Sequence, residues 1–297
     1  MSMRTLVSDN RYVIVSPVKD EERNVELTLQ SVIGQTIKPM LWVIVDDGSK
    51  DNTPEIVRRY ALTHPFIRLL RHPHSGERKL AFGEVRAFNW GYDSLGSVSY
   101  DFVVKLDCDL SFDADYFEQL LRRFQQDEKL GIASGIYFEQ NKANDWKEIV
   151  MPPYHAAGAS KVIRRECFKE IGGFIPAPGW DSLDEIQAMT RGWTTAHFKE
   201  LRMRHHKREG SSMGAVNTSI MHGEAFYRTG GSKLFFGLKV FHRIFSKPYG
   251  LGALALFWGY LQALIKRKPC LVTEAEARYY KGLLLGRLKV TSKSLLK

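Results

Sequence analysis

Asp107 and Asp109 stand one residue apart in Lys105-Leu106-Asp107-Cys108-Asp109-Leu110, directly behind the apolar run Phe102-Val103-Val104. Carboxylate oxygens are hard ligands for Mg²⁺ or Mn²⁺, and those ions keep few protein ligands when phosphate oxygens fill the other positions. In an extended segment, residues i and i+2 point to the same side, so both carboxylates are expected to face one ion. An ion held there neutralises the charge that develops on a departing diphosphate. An isolated Asp-x-Asp is more often a solvated turn, but the apolar lead-in here argues for the end of a buried strand. About 60 residues upstream, Asp46-Asp47-Gly48-Ser49 is a second acidic segment behind an apolar run. One of its carboxylates could accept from a base edge or a ribose hydroxyl. The plainer role is a turn followed by a helix cap, which Asp47 would serve.

These groups need elements to position them. Tyr12-Val13-Ile14-Val15 reads as a buried strand entering a loop at Ser16-Pro17. From Asp20 to about Gln35, Val25, Leu29, Val32 and Ile33 recur at helical spacing with acids in front. Leu41–Val45 reads as a second strand, Asp51 or Asn52 as the cap of a second helix, and Phe66–Leu70 as a third strand. This alternation predicts an α/β fold built on a parallel sheet, with ligands beyond the carboxyl ends of the strands. Ser16-Pro17, Asp46-Asp47 and Asp107–Asp109 all fall at such ends, so one cleft is expected to hold them. Further on, Ile132–Phe138 reads as a strand, with helices near Arg164–Ile171 and Ser182–Thr190, each followed by glycine.

Over residues 12–200 the chain resembles the family 2 glycosyltransferases of GT-A fold, the group that includes cellulose-synthase-like and exopolysaccharide enzymes. The matching segments are Val15-Ser16-Pro17 with Asp20, Ser31–Thr36, Val45–Ser49, Gly76 through Arg86–Gly91, Leu106–Asp109, and Arg164-Arg165 with Ile171–Phe174. The resemblance implies a Rossmann-like mixed sheet with helices on both faces. It also implies inverting transfer from a UDP- or GDP-sugar. Pro17, Asp20, Asp46, Asp47, Arg86 and Asp107 would bind the nucleotide sugar, and Asp107 and Asp109 the metal. The family places a catalytic Asp about eleven residues before a Gly-aromatic step. Asp181 meets that spacing ahead of Gly192-Trp193, with Trp180 where the family has Glu. Asp184 and Glu185 are the alternates. An inverting displacement needs such a carboxylate to take the acceptor's proton as its oxygen attacks; the plain alternative for Asp181 is a helix N-cap. The Gln-x-x-Arg-Trp motif of processive synthases is missing, so addition of a single sugar is expected. In its place stand Arg202, Arg204, His205, His206, Lys207 and Arg208. His206 and Arg208 could reach the diphosphate, and a solvated basic loop fits equally.

Composition separates the two ends of the chain. The net charge is +10, yet the residues from Lys233 onward hold 13 Lys and Arg against two acids, leaving 30 basic and 31 acidic residues before them. This predicts a catalytic domain over 1–230 and a basic, aromatic-rich helical tail over 231–297. Leu234, Leu238, Phe241 and Phe245 share one helical face, with Lys239, His242 and Arg243 largely away from it, a pattern that suits a bilayer headgroup boundary. Tyr249–Ile265 would reach only about 25 Å as a helix, short of the ~30 Å hydrocarbon core. An interfacial or re-entrant segment on an anionic membrane surface is therefore expected, the alternative being two helices packed on protein. Exopolysaccharide enzymes of similar kind also carry such tails. With no apolar segment at Met1–Arg4, a cytoplasmic location on the inner face of the membrane is expected. Three cysteines without paired spacing argue against a disulfide framework or zinc site.

The acceptor expected from this reading is a glycan, carried on a polyprenyl lipid. A polyprenyl-phosphate sugar synthase is the near alternative, since its acceptor is already an anion and needs no base. A sugar-nucleotide pyrophosphorylase would need a glycine-rich phosphate loop after the first strand, and Ser16–Asp20 has no glycine. Action through the basic tail as a nucleic-acid- or partner-binding protein is the alternative of another class. The tail's cations flank apolar helices rather than a stacking surface, which excludes nucleic acid as the expected partner.

Overall fold

A computed structural model of the chain describes residues 11–72, 82–141, 144–207 and 214–295. They form two compact units, 1–174 with 192–208, and 175–191 with 209–297.

The first unit is a nine-stranded mixed sheet with helices. It opens with β1 (Tyr12–Val18), α1 (Val25–Ile33), β2 (Leu41–Asp46), α2 (Thr53–Thr63), β3 (Ile67–Arg71), α3 (Gly83–Asp93) and β4 (Phe102–Leu106). These are the units the β-branched runs announce. β1, β2 and β4 are buried nearly throughout, as expected of parallel strands covered on both faces. Then follow β5 (Leu110–Phe112), α4 (Tyr116–Gln126), β6 (Leu130–Gln140), β7 (Trp146–Glu148), β8 (Ser160–Arg164), α5 (Arg165–Glu170) and β9 (Thr194–His205). The strand order is β3-β2-β1-β4-β8-β6-β9-β5, with β7 beside β6. β1 pairs in parallel with β2 and β4, and β2 with β3. β8 then runs antiparallel to both β4 and β6. The sheet is thus mixed, as the family resemblance implies, and wholly parallel only across its first four strands. Its core joins Tyr12, Ile14, Trp42, Phe102, Val104, Phe117 and Leu121.

The basic segment, for which a solvated loop is one of two readings, is strand through His205. Along β9, Leu201, Met203 and His205 are buried while Arg202 and Arg204 are exposed. That alternation at a period of two is the pattern of a strand with one face covered.

The second unit is helical: α6 (Trp180–Thr190), α7 (Ala215–Arg228), α8 (Lys233–Ile244), α9 (Leu251–Ile265) and α10 (Glu274–Leu295). The boundary expected near residue 230 falls inside it, because α7 packs lengthwise on α9. Arg191, closing α6, pairs with Glu276 at 3.1 Å. Glu276 in turn forms a reciprocal capping box with Thr273 at the start of α10. The end of α6 and the start of α10 are thereby tied.

Two glycines set the α7–α9 crossing. A Cβ on Gly259 would lie 1.9 Å from the Ile220 carbonyl oxygen, and one on Gly223 would lie 2.0 Å from that of Leu256. Backbone meets backbone at both points, so neither neighbour can swing away. Gly259→Ala is expected to destabilise the second unit by about 1–3 kcal/mol or more, seen as a lower urea midpoint. An unchanged midpoint would mean that the helices separate without cost.

The packing of α9 is inverted relative to an ordinary surface helix. Its small residues Gly252, Ala253, Ala255, Gly259 and Ala263 are buried, while Leu251, Leu254, Phe257, Trp258, Leu264 and Ile265 are exposed. On α8, Phe236 is buried, and Leu234, Leu238 and Phe241 are exposed, as is Phe245 just beyond its end. None of the described helices is long and apolar enough to cross a membrane.

Candidate active site

Three acidic segments follow the carboxyl ends of three adjacent parallel strands. Asp20 follows β1, Asp46 ends β2 with Asp47 behind it, and Asp107 follows β4. Convergence at this edge follows from the strand order alone, since each parallel strand must deliver its next loop to the same side.

The first two segments are cross-tied. Asp20, in a left-handed conformation (φ 54°), accepts from the Lys50 backbone N–H at 2.7 Å, and the Ser49 hydroxyl accepts from the Asp20 N–H at 3.0 Å. Asp46, not Asp47, forms the turn: its Oδ1 accepts from the Ser49 N–H at 2.9 Å. Asp47 lies 3.3 Å from His72 Nδ1, and that imidazole packs edge-on against Trp90. Pro17 is half-buried near the end of β1, and Arg86 is exposed on the first turn of α3. Arg208 lies outside the described residues.

Asp107–Asp109 is the tight connection from β4 to β5 rather than extended strand. Asp107 pairs with the buried Lys105 ammonium at 2.5 Å. Burial raises the Asp107 carboxyl to about 7, Lys105 opposes this, and Glu84 and Asp109 add to it. Burial by itself would lower Lys105; Asp107, Glu84 and Asp109 outweigh it and hold the ammonium above its ordinary value. Asp109 is buried and lies 3.3 Å from His205 Nε2, whose other ring nitrogen lies 3.4 Å from Glu139. Burial disfavours charge on His205, but Asp109 and Glu139 prevail and push it up to about 10. Asp109 Oδ1 is buried without a hydrogen-bond partner among the described residues. Glu21 pairs with Lys207; burial raises its carboxyl, and nearby Asp109 contributes.

Lys105, His205, Glu21, Glu84 and Glu139 are therefore neighbours of the paired aspartates that the motifs do not announce. Lys105 is the most legible of them, because a lysine inside an apolar strand needs a buried counter-charge. His206, expected at the diphosphate, hydrogen-bonds with Ser111 at 2.8 Å and packs against Trp146; burial lowers its pKa. Lys105→Met should leave the half-buried Asp107 beside other acids with its buried cation gone. A loss of about 3–5 kcal/mol is expected by denaturant unfolding, and a loss under 1 kcal/mol would show the pair to be solvated.

Among the described residues, Glu21, Glu84, Asp107, Asp109 and Glu139 stand close together with Lys105, His205 and Lys207. Together with the unpartnered oxygen of Asp109, this fits a divalent cation. Among the described residues no group of three or more His, Cys, Asp or Glu is set to hold a metal ion. Asp107 and Asp109 could supply two ligands, the rest falling to phosphate and water.

The alternate carboxylates of the second unit differ in setting. α6 is capped by Gly179 in a left-handed conformation (φ 77°), so Asp181 is the second helical residue and not the N-cap. Asp181 is half-buried, whereas Asp184 and Glu185 are buried.

Known proteins resemble this chain at two levels. Poly-β-1,6-N-acetyl-D-glucosamine synthases of Staphylococcus aureus (strain COL) and Staphylococcus epidermidis are 29% identical over 125 residues, which is 42% of this chain. The match spans only 28% of those relatives' length. Among solved structures, the mannosyltransferase PcManGT from Pyrobaculum calidifontis, in complex with GDP-Man and Mn²⁺, aligns with a TM-score of 0.56 at 19% identity. It covers 93% of this chain and 80% of its own. GalNAc-T7 with UDP, GalNAc and Mn²⁺ aligns at 0.58 and 14% identity, over 86% and 56%. S. aureus TarS 1–349 in complex with UDP-GlcNAc aligns at 0.56 and 14%, over 86% and 73%. These likenesses show a nucleotide-sugar transferase fold of GT-A type. The sequence model for glycosyl transferase family 2 matches residues 13–177, more than half of the chain, and the chain belongs to that family.

Proposed function

We propose that this chain is an inverting glycosyltransferase. It moves one sugar from a UDP- or GDP-sugar to a hydroxyl of a glycan acceptor carried on a polyprenyl lipid. The observation that carries the reading is the acidic floor at the carboxyl edge of the sheet, with a buried oxygen on Asp109 that has no partner among the described residues. Family membership and neighbours solved with UDP, UDP-GlcNAc or GDP-Man support the donor class, and Mn²⁺ in two of those neighbours supports the metal.

Asp107 and Asp109 would hold Mg²⁺ or Mn²⁺. When bound, the cation supplies charge neutralisation to the leaving nucleoside diphosphate. Lys105 and His205 hold the two carboxylates in place from behind. Asp20 and Asp46 or Asp47 would take the base and ribose, with Pro17 and Arg86 also at the nucleotide sugar. Asp181 takes the proton from the attacking hydroxyl. The outward apolar residues of α8 and α9, with Lys233, Lys247, Lys266, Arg267 and Lys268 beside them, suit an anionic membrane surface. A lipid-borne acceptor stays in such a surface while the donor arrives from water, which agrees with work at the inner face of the cell membrane.

Calorimetry with UDP and GDP, with and without Mn²⁺, tests the reading. Metal-dependent binding of one nucleotide is expected. A folded protein that binds neither would overturn it.

A further inference from the structure

On α8, Lys239 is exposed and Arg243 half-buried. Lys239 and Arg243, four residues apart, share the side of the helix that holds the buried Phe236, opposite exposed Leu234, Leu238 and Phe241. The Lys239 ammonium lies over the Phe226 ring at 5.8 Å, and the Arg287 guanidinium of α10 lies over Phe235 at 5.5 Å. The Phe226 and Phe235 rings are parallel to one another. The Arg243 guanidinium runs beside Gly252, where an added Cβ would come within 3.0 Å of Nε. His222 of α7 feels both Lys239 and Arg243, and the carboxylate that acts on His222 and on Lys239 is Asp181. Partial desolvation against the Phe226 ring, with Arg287 and Arg243 adding like charge, keeps the otherwise exposed Lys239 below its ordinary pKa. Glu224 of this unit pairs with Arg228 and Lys268, and the buried Glu276 with Arg191.

Three neighbouring cations, two of them over aromatic rings, make a concentrated positive field. Arginine forks and a lysine point charge are the usual partners of phosphate oxygens. The same helix turns its apolar side outward, so a ligand lying along it would need an anionic group, a hydrocarbon chain, and something for Asp181 to act on.

We propose that Lys239, Arg243 and Arg287 bind the phosphate or diphosphate that joins the acceptor's glycan to its lipid. This rests on the reading of Asp181 as the base, and gives the acceptor a recognition site separate from the nucleotide's.

Binding of farnesyl diphosphate to the full chain, measured by calorimetry, tests the site, with farnesol and inorganic pyrophosphate as comparisons. Farnesyl diphosphate is expected to bind, pyrophosphate more weakly, and farnesol not at all. Lys239→Gln, Arg243→Gln and Arg287→Gln should each weaken farnesyl diphosphate by about tenfold, with Lys239→Arg restoring affinity; circular dichroism would confirm that each variant folds. Equal binding of farnesol, or variants within twofold of wild type, would overturn the proposal. So would variants that lose only their affinity for phosphatidylglycerol vesicles, since the cations would then serve bulk headgroups. UDP and GDP titrated into the same samples separate the two readings. Nucleotide binding without a farnesyl diphosphate site leaves the transferase and removes this site, and the reverse leaves the site and removes the transferase.

Discussion

Asp109→Asn is expected to lower sugar transfer by at least about 10³-fold and to abolish the metal dependence of nucleotide binding. The side chain keeps its volume but loses the negative charge that its buried position is built to hold. Asp109 stands against the protonated His205 through one oxygen, and its other oxygen has no partner among the described residues. That second oxygen is the one offered to a cation. A metal that stabilises developing charge contributes several kcal/mol, and about 4 kcal/mol corresponds to three orders of magnitude in rate. Glu139→Gln alters the far side of His205, so a smaller loss of about 10–100-fold is expected, as for groups that orient a ligand from behind. Calorimetry with and without Mn²⁺, beside steady-state rates, reads both effects. Metal-dependent binding that survives in Asp109→Asn would remove this residue from the metal site.

Asp181→Asn is expected to reduce transfer by about 10²–10⁴-fold, the range for loss of a positioned general base, while nucleotide affinity stays within twofold. The amide cannot accept the acceptor's proton, and it leaves the first turn of α6 otherwise unaltered. Capping by Gly179 means that no N-cap hydrogen bond from the Asp181 side chain is lost. Asp184→Asn and Glu185→Gln change buried groups, so their expected signature is lower stability. Single-turnover rates and denaturant midpoints separate the two cases. Normal transfer by Asp181→Asn would favour an acceptor that is already an anion, as in polyprenyl-phosphate sugar synthesis.

The parallel half of the sheet was legible because covered strands read as continuous apolar runs, and Tyr12–Val15, Leu41–Val45 and Phe102–Val104 are such runs. The placement of Ser16-Pro17, Asp46 and Asp107 at one edge followed from the same reading. β9 was hidden by its own charge: Arg202 and Arg204 suggest a loop until their alternation with Leu201, Met203 and His205 is weighed. The partnership of His205 with Asp109 and Glu139 joins β9, the β4–β5 connection and β6. Side chains that meet only through a mixed, out-of-order sheet leave no spacing to read. The inversion of α8 and α9 was half legible. The face of Leu234, Leu238 and Phe241 could be drawn from the sequence, but which side faced out depended on the close crossing at Gly223 and Gly259.

That crossing separates two traits that most proteins keep coupled. The small residues of α9 fix how near the helices stand, and Leu254, Phe257 and Trp258 on the other side take no part in that fit. Substitutions inside are limited to what fits between two backbones, whereas those outside are free to vary in size and greasiness. The adhesiveness of this face can therefore drift from one descendant to the next while the scaffold beneath it holds still.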